Sequence, residues 1–255
     1  MSILDRFSLT GRRALVTGAS MGIGLASARA LAEAGAQVTL TARNEARLKA
    51  ATEQLEAEGL AVAYRSMDVT STASVDSVAA TIGPVDILVA NAGIAQPGAP
   101  SETVGDEVMV RVFDVNVGGV ARTIRAFAAG MLERGRGSIV TIGSISGVIS
   151  NRPQDQCYYN ASKAAVHHLT RSLAAEWARR GVRVNAVAPG YIATPMNVAM
   201  LGDHPELAST WLAMTPMGRL GEPDEIAGVV LFLASDAASY MTGSVVLADG
   251  GYVAW

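Results

Sequence analysis

The sequence predicts a doubly wound α/β fold, with a parallel seven-stranded sheet and helices on both faces, in a single domain over residues 1–255. Three observations predict it. Seven short β-rich apolar runs alternate with longer Ala-rich stretches of helical pattern. Several of the runs are apolar without polar alternation, the pattern of strands covered on both faces. No proline-rich linker or break in composition divides the 255 residues, a length that can bury one large α/β core.

The predicted strands are, in order, 13–19 (RALVTGA), 37–42 (QVTLTA), 62–69 (VAYRSMDV), 85–93 (VDILVANAG), 137–144 (GSIVTIGS), 183–190 (RVNAVAPG) and 244–251 (SVVLADGG). Two of the helical stretches, 25–34 and 161–180, stop at Gly35 and Gly181, where glycine accepts the backbone that ends a helix. Residues 191–218 read as an irregular excursion between the sixth strand and the next helix. Repeated β-α-β units of this kind give a parallel sheet with right-handed crossovers.

Composition narrows the partners. A net charge of −3, a pI near 5.6 and arginines scattered rather than clustered argue against nucleic acid. The single cysteine, Cys157, forbids an internal disulfide and offers no metal cluster, which suits a reducing cytoplasm. The opening MSILDRFSLTGRR carries charge early and lacks a long apolar stretch, so no signal peptide is expected. The best apolar run, 227–234, has core-helix length, so no membrane span is expected either.

TGASMGIG, 17–24, follows the first predicted strand and opens the first helix. Gly18, Gly22 and Gly24 let the backbone turn tightly and approach a pyrophosphate, whose charge a helix N-terminus favours. The spacing is G-x-x-x-G-x-G. Together with Tyr-x-x-x-Lys at Tyr159 and Lys163, it resembles the short-chain dehydrogenase/reductase family in its compact, single-domain branch. The resemblance runs over nearly the whole chain and implies a Rossmann-type sheet. ANAG, 90–93, looks like the family's N-N-A-G, with Ala90 departing at the first place; DVNVGG puts Asn116 at the family's active-site asparagine. GSISG supplies Ser144, and PGYIAT, 189–194, matches the segment at the nicotinamide end.

By that resemblance, the dinucleotide is held by Gly18, Ser20, Met21, Gly22, Ile23 and Gly24 in the turn and by Arg43 and Asn44 after the second strand. Asp68 and Val69, Asn91, Ala92 and Gly93, then Pro189, Gly190, Ile192 and Thr194 complete its cleft, with Tyr159 and Lys163. An Asp or Glu at the end of the second strand would bind the 2′-hydroxyl of NAD. Here Ala42 stands in that place, followed by Arg43. Losing a carboxylate and gaining a guanidinium favours a 2′-phosphate, so NADP(H) is preferred and NAD(H) is possible. Arg43 also reads as a solvated arginine opening a helix, and Asp68 as either an adenine contact or a helix cap.

Lys163 is one of only two lysines among twenty basic residues. At four-residue spacing on a helix it neighbours Tyr159, whereas Tyr158 lies off that register. A phenol of ordinary pKa about 10 is a poor base at neutral pH, and a nearby ammonium should lower it. The resemblance implies that Tyr159 exchanges a proton with the substrate oxygen while hydride moves at carbon. It also implies that Lys163 binds the nicotinamide ribose, that Ser144 holds the substrate oxygen, and that Asn116 fixes a water linking Lys163 to solvent.

Other chemistries find less support. The nucleophile elbow G-x-S-x-G is missing at 143–147, where Ile145 is central. His167 and His168 read as ordinary positions on the long helix and His204 falls in the excursion, with no metal spacing among them. A non-catalytic dinucleotide sensor is the alternative of another class, although such proteins typically lose the Tyr or Lys that this chain keeps.

Between Ser144 and Tyr159 the chain is polar. Ser146, Asn151, Gln154 and Gln156 offer donors and acceptors near the reactive tyrosine, which favours hydroxylated substrates over bare hydrocarbon. This stretch and WLAMTPMGRLGEPDEIA resemble the polyol/ketose branch, with its mannitol, galactitol and xylulose-type dehydrogenases. Reduction of 3-oxoacyl thioesters or of general carbonyl compounds is the alternative. Residues 191–218 are expected to form a substrate lid, helical over 196–211, with Met196, Leu207 and Trp211 as candidate apolar contacts, and a homotetramer would cover the apolar tail that ends at Trp255.

Overall fold

In the computed structural model, residues 2–95, 100–203 and 205–255 are described, the side chains of Met196, Ala199, Met200 and Asp203 excepted. Seven strands form one all-parallel sheet: β1 (Arg13–Thr17), β2 (Gln37–Ala42), β3 (Val62–Ser66), β4 (Ile87–Ala90), β5 (Gly137–Ile142), β6 (Val182–Pro189) and β7 (Val245–Ala248). Their spatial order is β3-β2-β1-β4-β5-β6-β7. The order reverses between β1 and β4, and the crevice beyond the carboxyl ends of such neighbours is where open α/β sheets bind ligands.

Residues alternate faces along each strand, and two apolar cores result. Ala14 and Val16 join Leu31, Leu40, Leu48, Val230 and Leu233 on one face; Leu15, between them, joins Leu88, Ile124, Phe127, Ile139 and Val166 on the other. Leu31 lies on α1 (Gly22–Glu33), Leu48 on α2 (Glu45–Ala57), and Val230 and Leu233 on the last long helix, Pro223–Ala234. The second face is covered by α3 (Thr72–Ile82), α4 (Asp106–Phe113), α5 (Val120–Arg134) and α6 (Cys157–Trp177). Leu15 is fully buried, so truncating it to alanine should cost about 2–5 kcal/mol.

All seven predicted strands form, but most stop short at their carboxyl ends. β1 ends at Thr17 because Gly18 takes φ +66°, and β4 and β5 end at Ala90 and Ile142 rather than Gly93 and Ser144. The residues released from the ladders are those that build the site. α6 begins at Cys157, not residue 161, so both tyrosines lie on it; Ala178–Arg180 add a 3-10 turn at its end. Asn116 lies in a π-helical turn, Asp114–Gly119, between α4 and α5, a distortion that often marks functional positions. In the excursion, the helix expected over 196–211 is two helices, α7 (Pro195–Asp203) and α8 (Pro205–Met214), each with proline at its first position. The Pro223–Ala234 helix is α9. Among the described residues, no helix is long and apolar enough to cross a membrane.

Candidate active site

The glycine turn is tied to the end of β4. Thr17 Oγ1 accepts from the backbone N–H of Asn91 (3.0 Å) and of Ala92 (2.9 Å), and Asn91 Nδ2 donates to the carbonyls of Thr17 (2.8 Å) and Gly18 (3.1 Å). The approach is so close that a Cβ on Gly18 would lie 2.9 Å from Ala92 Cα, and one on Gly24 would lie 2.4 Å from the Gly18 carbonyl oxygen. Side chains are excluded at these two positions, and no side chain caps α1. Its first N–H groups are therefore left to an anion, so the residues present fit a dinucleotide pyrophosphate. Thr194, after β6, packs its methyl toward Gly22 and closes the turn from the other side.

Beyond the end of β2 the chain is cationic. Arg43 and Arg47 are both exposed, and Arg47 Nη1 reaches Met21 Sδ at 3.4 Å. Asn44 spends its side-chain oxygen on the Arg47 N–H (2.9 Å), capping α2. Asp68 accepts from the N–H and hydroxyl of Thr70 (2.9 and 2.8 Å), which holds its carboxyl below the usual range, with Arg43 and Arg122 adding smaller effects. It caps no helix, since Ser71 caps α3. Val69 is a core residue packed where Gly119 leaves room.

A second group gathers around Tyr159. Ser144 Oγ accepts from the Ser146 N–H (3.1 Å) and shares a hydrogen bond with Tyr159. Lys163 is buried, its ammonium 5.6 Å from the Tyr159 ring centroid and donating to the Ile142 carbonyl at 2.9 Å. Burial alone brings its pKa down to about 8. The expected lowering of the phenol is outweighed in this structure. Burial pushes Tyr159 up first and most, the Ser144 hydrogen bond opposes it, and Tyr191 adds to the rise.

Asn116 is 1% exposed and nearly saturated. Its Nδ2 donates to the Ile94 carbonyl and to Ser162 Oγ, both at 3.0 Å, while Oδ1 accepts from the Ile94 N–H at 2.8 Å. Ser162 Oγ in turn donates to the Tyr159 carbonyl at 2.7 Å. Asn116 thus splices the loop after β4 to the helix that bears Tyr159. A relay water, as expected from the sequence, has only the second lone pair of Oδ1 left on this side chain.

Tyr159 and Lys163 face a cavity of about 290 Å³, lined also by Ile23, Asn91, Gly93, Pro189, Gly190, Ile192 and Thr194. The candidate substrate residues Ser144, Ser146, Asn151 and Gln156 line it too, whereas Gly18, Ser20, Met21, Gly22, Gly24, Arg43, Asn44, Asp68, Val69 and Ala92 do not. Those residues belong to the glycine turn and to the segments that follow β2, β3 and β4. In the far wall, Tyr191 stacks on Trp211 (centroids 3.8 Å apart, 16° between planes) and accepts from Asn151 Nδ2 at 3.1 Å. Asn151 Oδ1 and Trp211 Nε1 are buried with no hydrogen-bond partner among the described residues. Leu207 is not among the lining residues, while the Met196 side chain and His204 lie outside the described residues.

Against known proteins, the family model described as Enoyl-(Acyl carrier protein) reductase (adh_short_C2) matches residues 18–253. The chain belongs to the short-chain dehydrogenase/reductase family. It is 51% identical over 259 residues to the galactitol 2-dehydrogenase of Rhizobium johnstonii, covering 100% of both chains. The crystal structure of gox2181 superposes with a TM-score of 0.97 at 49% identity, covering 100% of both chains. That of a gluconate 5-dehydrogenase from Burkholderia cenocepacia, in complex with NADP and tartrate, gives 0.92 at 38%, again over 100% of both chains. Like its relatives, this short-chain dehydrogenase/reductase uses a nicotinamide dinucleotide.

Three residues of the site escaped sequence reasoning. Tyr191 stood within a motif assigned to the cofactor, and only tertiary contact sets it against Trp211. Arg47 could have been found, since it lies four residues after Arg43, in the first turn of the helix that follows β2. His167, taken for an ordinary helix position, packs against the strand-end loop that carries Ser144.

Proposed function

We propose that this short-chain dehydrogenase/reductase interconverts a secondary alcohol and a ketone on a polyhydroxylated, polyol- or ketose-like substrate, with NADP(H) as the preferred dinucleotide. The observation that carries this reading is the polar wall of the cavity facing Tyr159, to which Ser146, Asn151, Gln154 and Gln156 contribute. Burying an unpaired polar group costs about 1–3 kcal/mol. Hydroxyl groups of a bound substrate would pair with such side chains, whereas an acyl thioester's hydrocarbon would not. The identity to a galactitol 2-dehydrogenase points the same way.

The bound nicotinamide supplies or accepts the hydride. The protein's part is oxygen and proton chemistry. Ser144 holds the substrate oxygen beside the phenol. Tyr159, kept protonated by burial, donates to a ketone oxygen as negative charge grows there, and takes the proton back from an alcohol in reverse. Lys163, four residues on, sets an ammonium beside the ring and faces the nicotinamide half of the cleft. At the other end, Arg43 and Arg47 with Ala42 supply cations and no carboxylate for the ribose, which supports the choice of a 2′-phosphate.

Residues 191–218, carrying α7, α8 and Trp211, form the lid of a single-domain, cytoplasmic enzyme in this reading. A homotetramer would cover the 79%-exposed Trp255. The test is a panel of polyols, ketoses and acetoacetyl thioesters assayed with both nucleotides. Preferred turnover of a polyol or ketose with NADP(H) is expected, and thioester preference would reject the substrate class.

A further inference from the structure

Tyr159 and Lys163 stand four residues apart on α6, and the next residue of the same stripe is His167. It is 3% exposed. Its ring wedges between two glycines of the segment bearing Ser144. A Cβ on Gly143 would fall 2.2 Å from Nε2, and one on Gly147 would fall 2.7 Å from Nδ1. Gly143 and Gly147 are thus the residues that admit the imidazole. The Ser144 backbone N–H donates to Nε2 at 3.5 Å, and the ring also interacts with the Gly147 backbone.

We propose that His167 is a positioning residue for the reaction: a neutral imidazole, protonated on Nδ1, that clamps both ends of the 143–147 turn and thereby fixes where Ser144 presents its hydroxyl to the substrate oxygen. The donor count requires this tautomer. The Ser144 N–H can donate only to a bare ring nitrogen, so Nε2 carries no proton, and the one proton of a neutral ring is then on Nδ1, beside Gly147. Burial, with the charges of Lys163 and Arg171, keeps the ring neutral, its pKa down to about 4. The turn leaves β5 at Ile142, whose carbonyl also holds the Lys163 ammonium, so one short segment meets both His167 and Lys163. A shift of Ser144 by about 1 Å is enough to cost about a hundredfold in rate.

This assignment rests on the alcohol–ketone reading for its kinetic consequence, but not for its chemistry. The experiment therefore has two arms. In 15N-labelled enzyme, the His167 ring, assigned with His168→Gln and His204→Gln, must show the neutral Nδ1–H tautomer at neutral pH; an Nε2–H tautomer or an imidazolium overturns the proposal without reference to turnover. In kinetics, His167→Leu should lower kcat about 10- to 100-fold and leave the directly measured nucleotide dissociation constant within about twofold. His167→Gln, whose amide can both accept from Ser144 and donate to Gly147, should recover most of the loss. An unchanged kcat in the Leu variant, or equal losses in a folded Gln variant, overturns the clamp. Absence of alcohol or ketone turnover in the unaltered enzyme would reject the function, and the tautomer would still decide His167.

Discussion

Lys163 and Ile142 are joined by a hydrogen bond of 2.9 Å from ammonium to backbone carbonyl, which holds a buried cation 5.6 Å from the centre of the Tyr159 ring. One carbonyl is a thin substitute for the water that the ammonium gave up, and the lysine pKa falls from 10.5 to about 8. That fall corresponds to about 3 kcal/mol of destabilisation, at about 1.4 kcal/mol per tenfold.

The sign of the pH dependence follows. Between about pH 8 and 10.5 the unfolded chain keeps the Lys163 proton and the folded chain has lost it, so this lysine's penalty is full below pH 8 and fades as pH rises to 10.5. Lys163→Met should therefore abolish turnover yet unfold at a higher denaturant midpoint than the unaltered chain at pH 7. The gain, at most about 3 kcal/mol, should shrink toward pH 10. Parallel denaturation curves across that range check it; a Met variant less stable at pH 7 than at pH 10, relative to the unaltered chain, would sink it.

The glycine turn should tolerate nothing larger. Gly24→Ala sets a Cβ 2.4 Å from the Gly18 carbonyl oxygen, which forces α1 away from β1 and the end of β4. We expect at least a tenfold weakening of nucleotide binding with a lowered Tm, read by calorimetry and thermal melts. Unaltered affinity would mean that the turn is not the nucleotide's seat.

Arg43→Gln and Arg47→Gln should each weaken NADP+ more than NAD+. Loss of one charge-assisted contact to a 2′-phosphate costs about 1.5–3 kcal/mol, so the ratio of dissociation constants should move about tenfold or more. Equal effects on both nucleotides would show that these arginines do not read the 2′ position.

Asn151→Leu and Trp211→Phe should change selectivity rather than overall competence. Each removes polar character from a residue that lines the cavity, so kcat/KM for a polyol should fall about tenfold. The value for a matching unsubstituted secondary alcohol should hold or rise. Parallel losses for both substrates would contradict the assigned role.

The strands and the Tyr159–Lys163 pair were legible because periodicity on one strand or one helix is local information. Local information ended at the carboxyl ends of β1, β4 and β5, where the apolar run continues but Gly18, Asn91 and Gly143 leave the ladder to make tertiary contacts. The helical character of the lid was legible over 196–211, but its division into α7 and α8, each opening on a proline that suits the first position of a helix, was not. The Tyr191–Trp211 stack and the fit of His167 against Gly143 and Gly147 join segments about 20 residues or more apart, and no spacing rule reaches them.

The central claim is that Tyr159 exchanges the proton, and the pair Tyr158→Phe and Tyr159→Phe tests it most directly. Steady-state nucleotide reduction by the best polyol should survive in the first variant. It should fall by about 10²–10⁴ in the second, with nucleotide affinity intact in both. Near-normal turnover by Tyr159→Phe, or a comparable loss in Tyr158→Phe, would contradict the account.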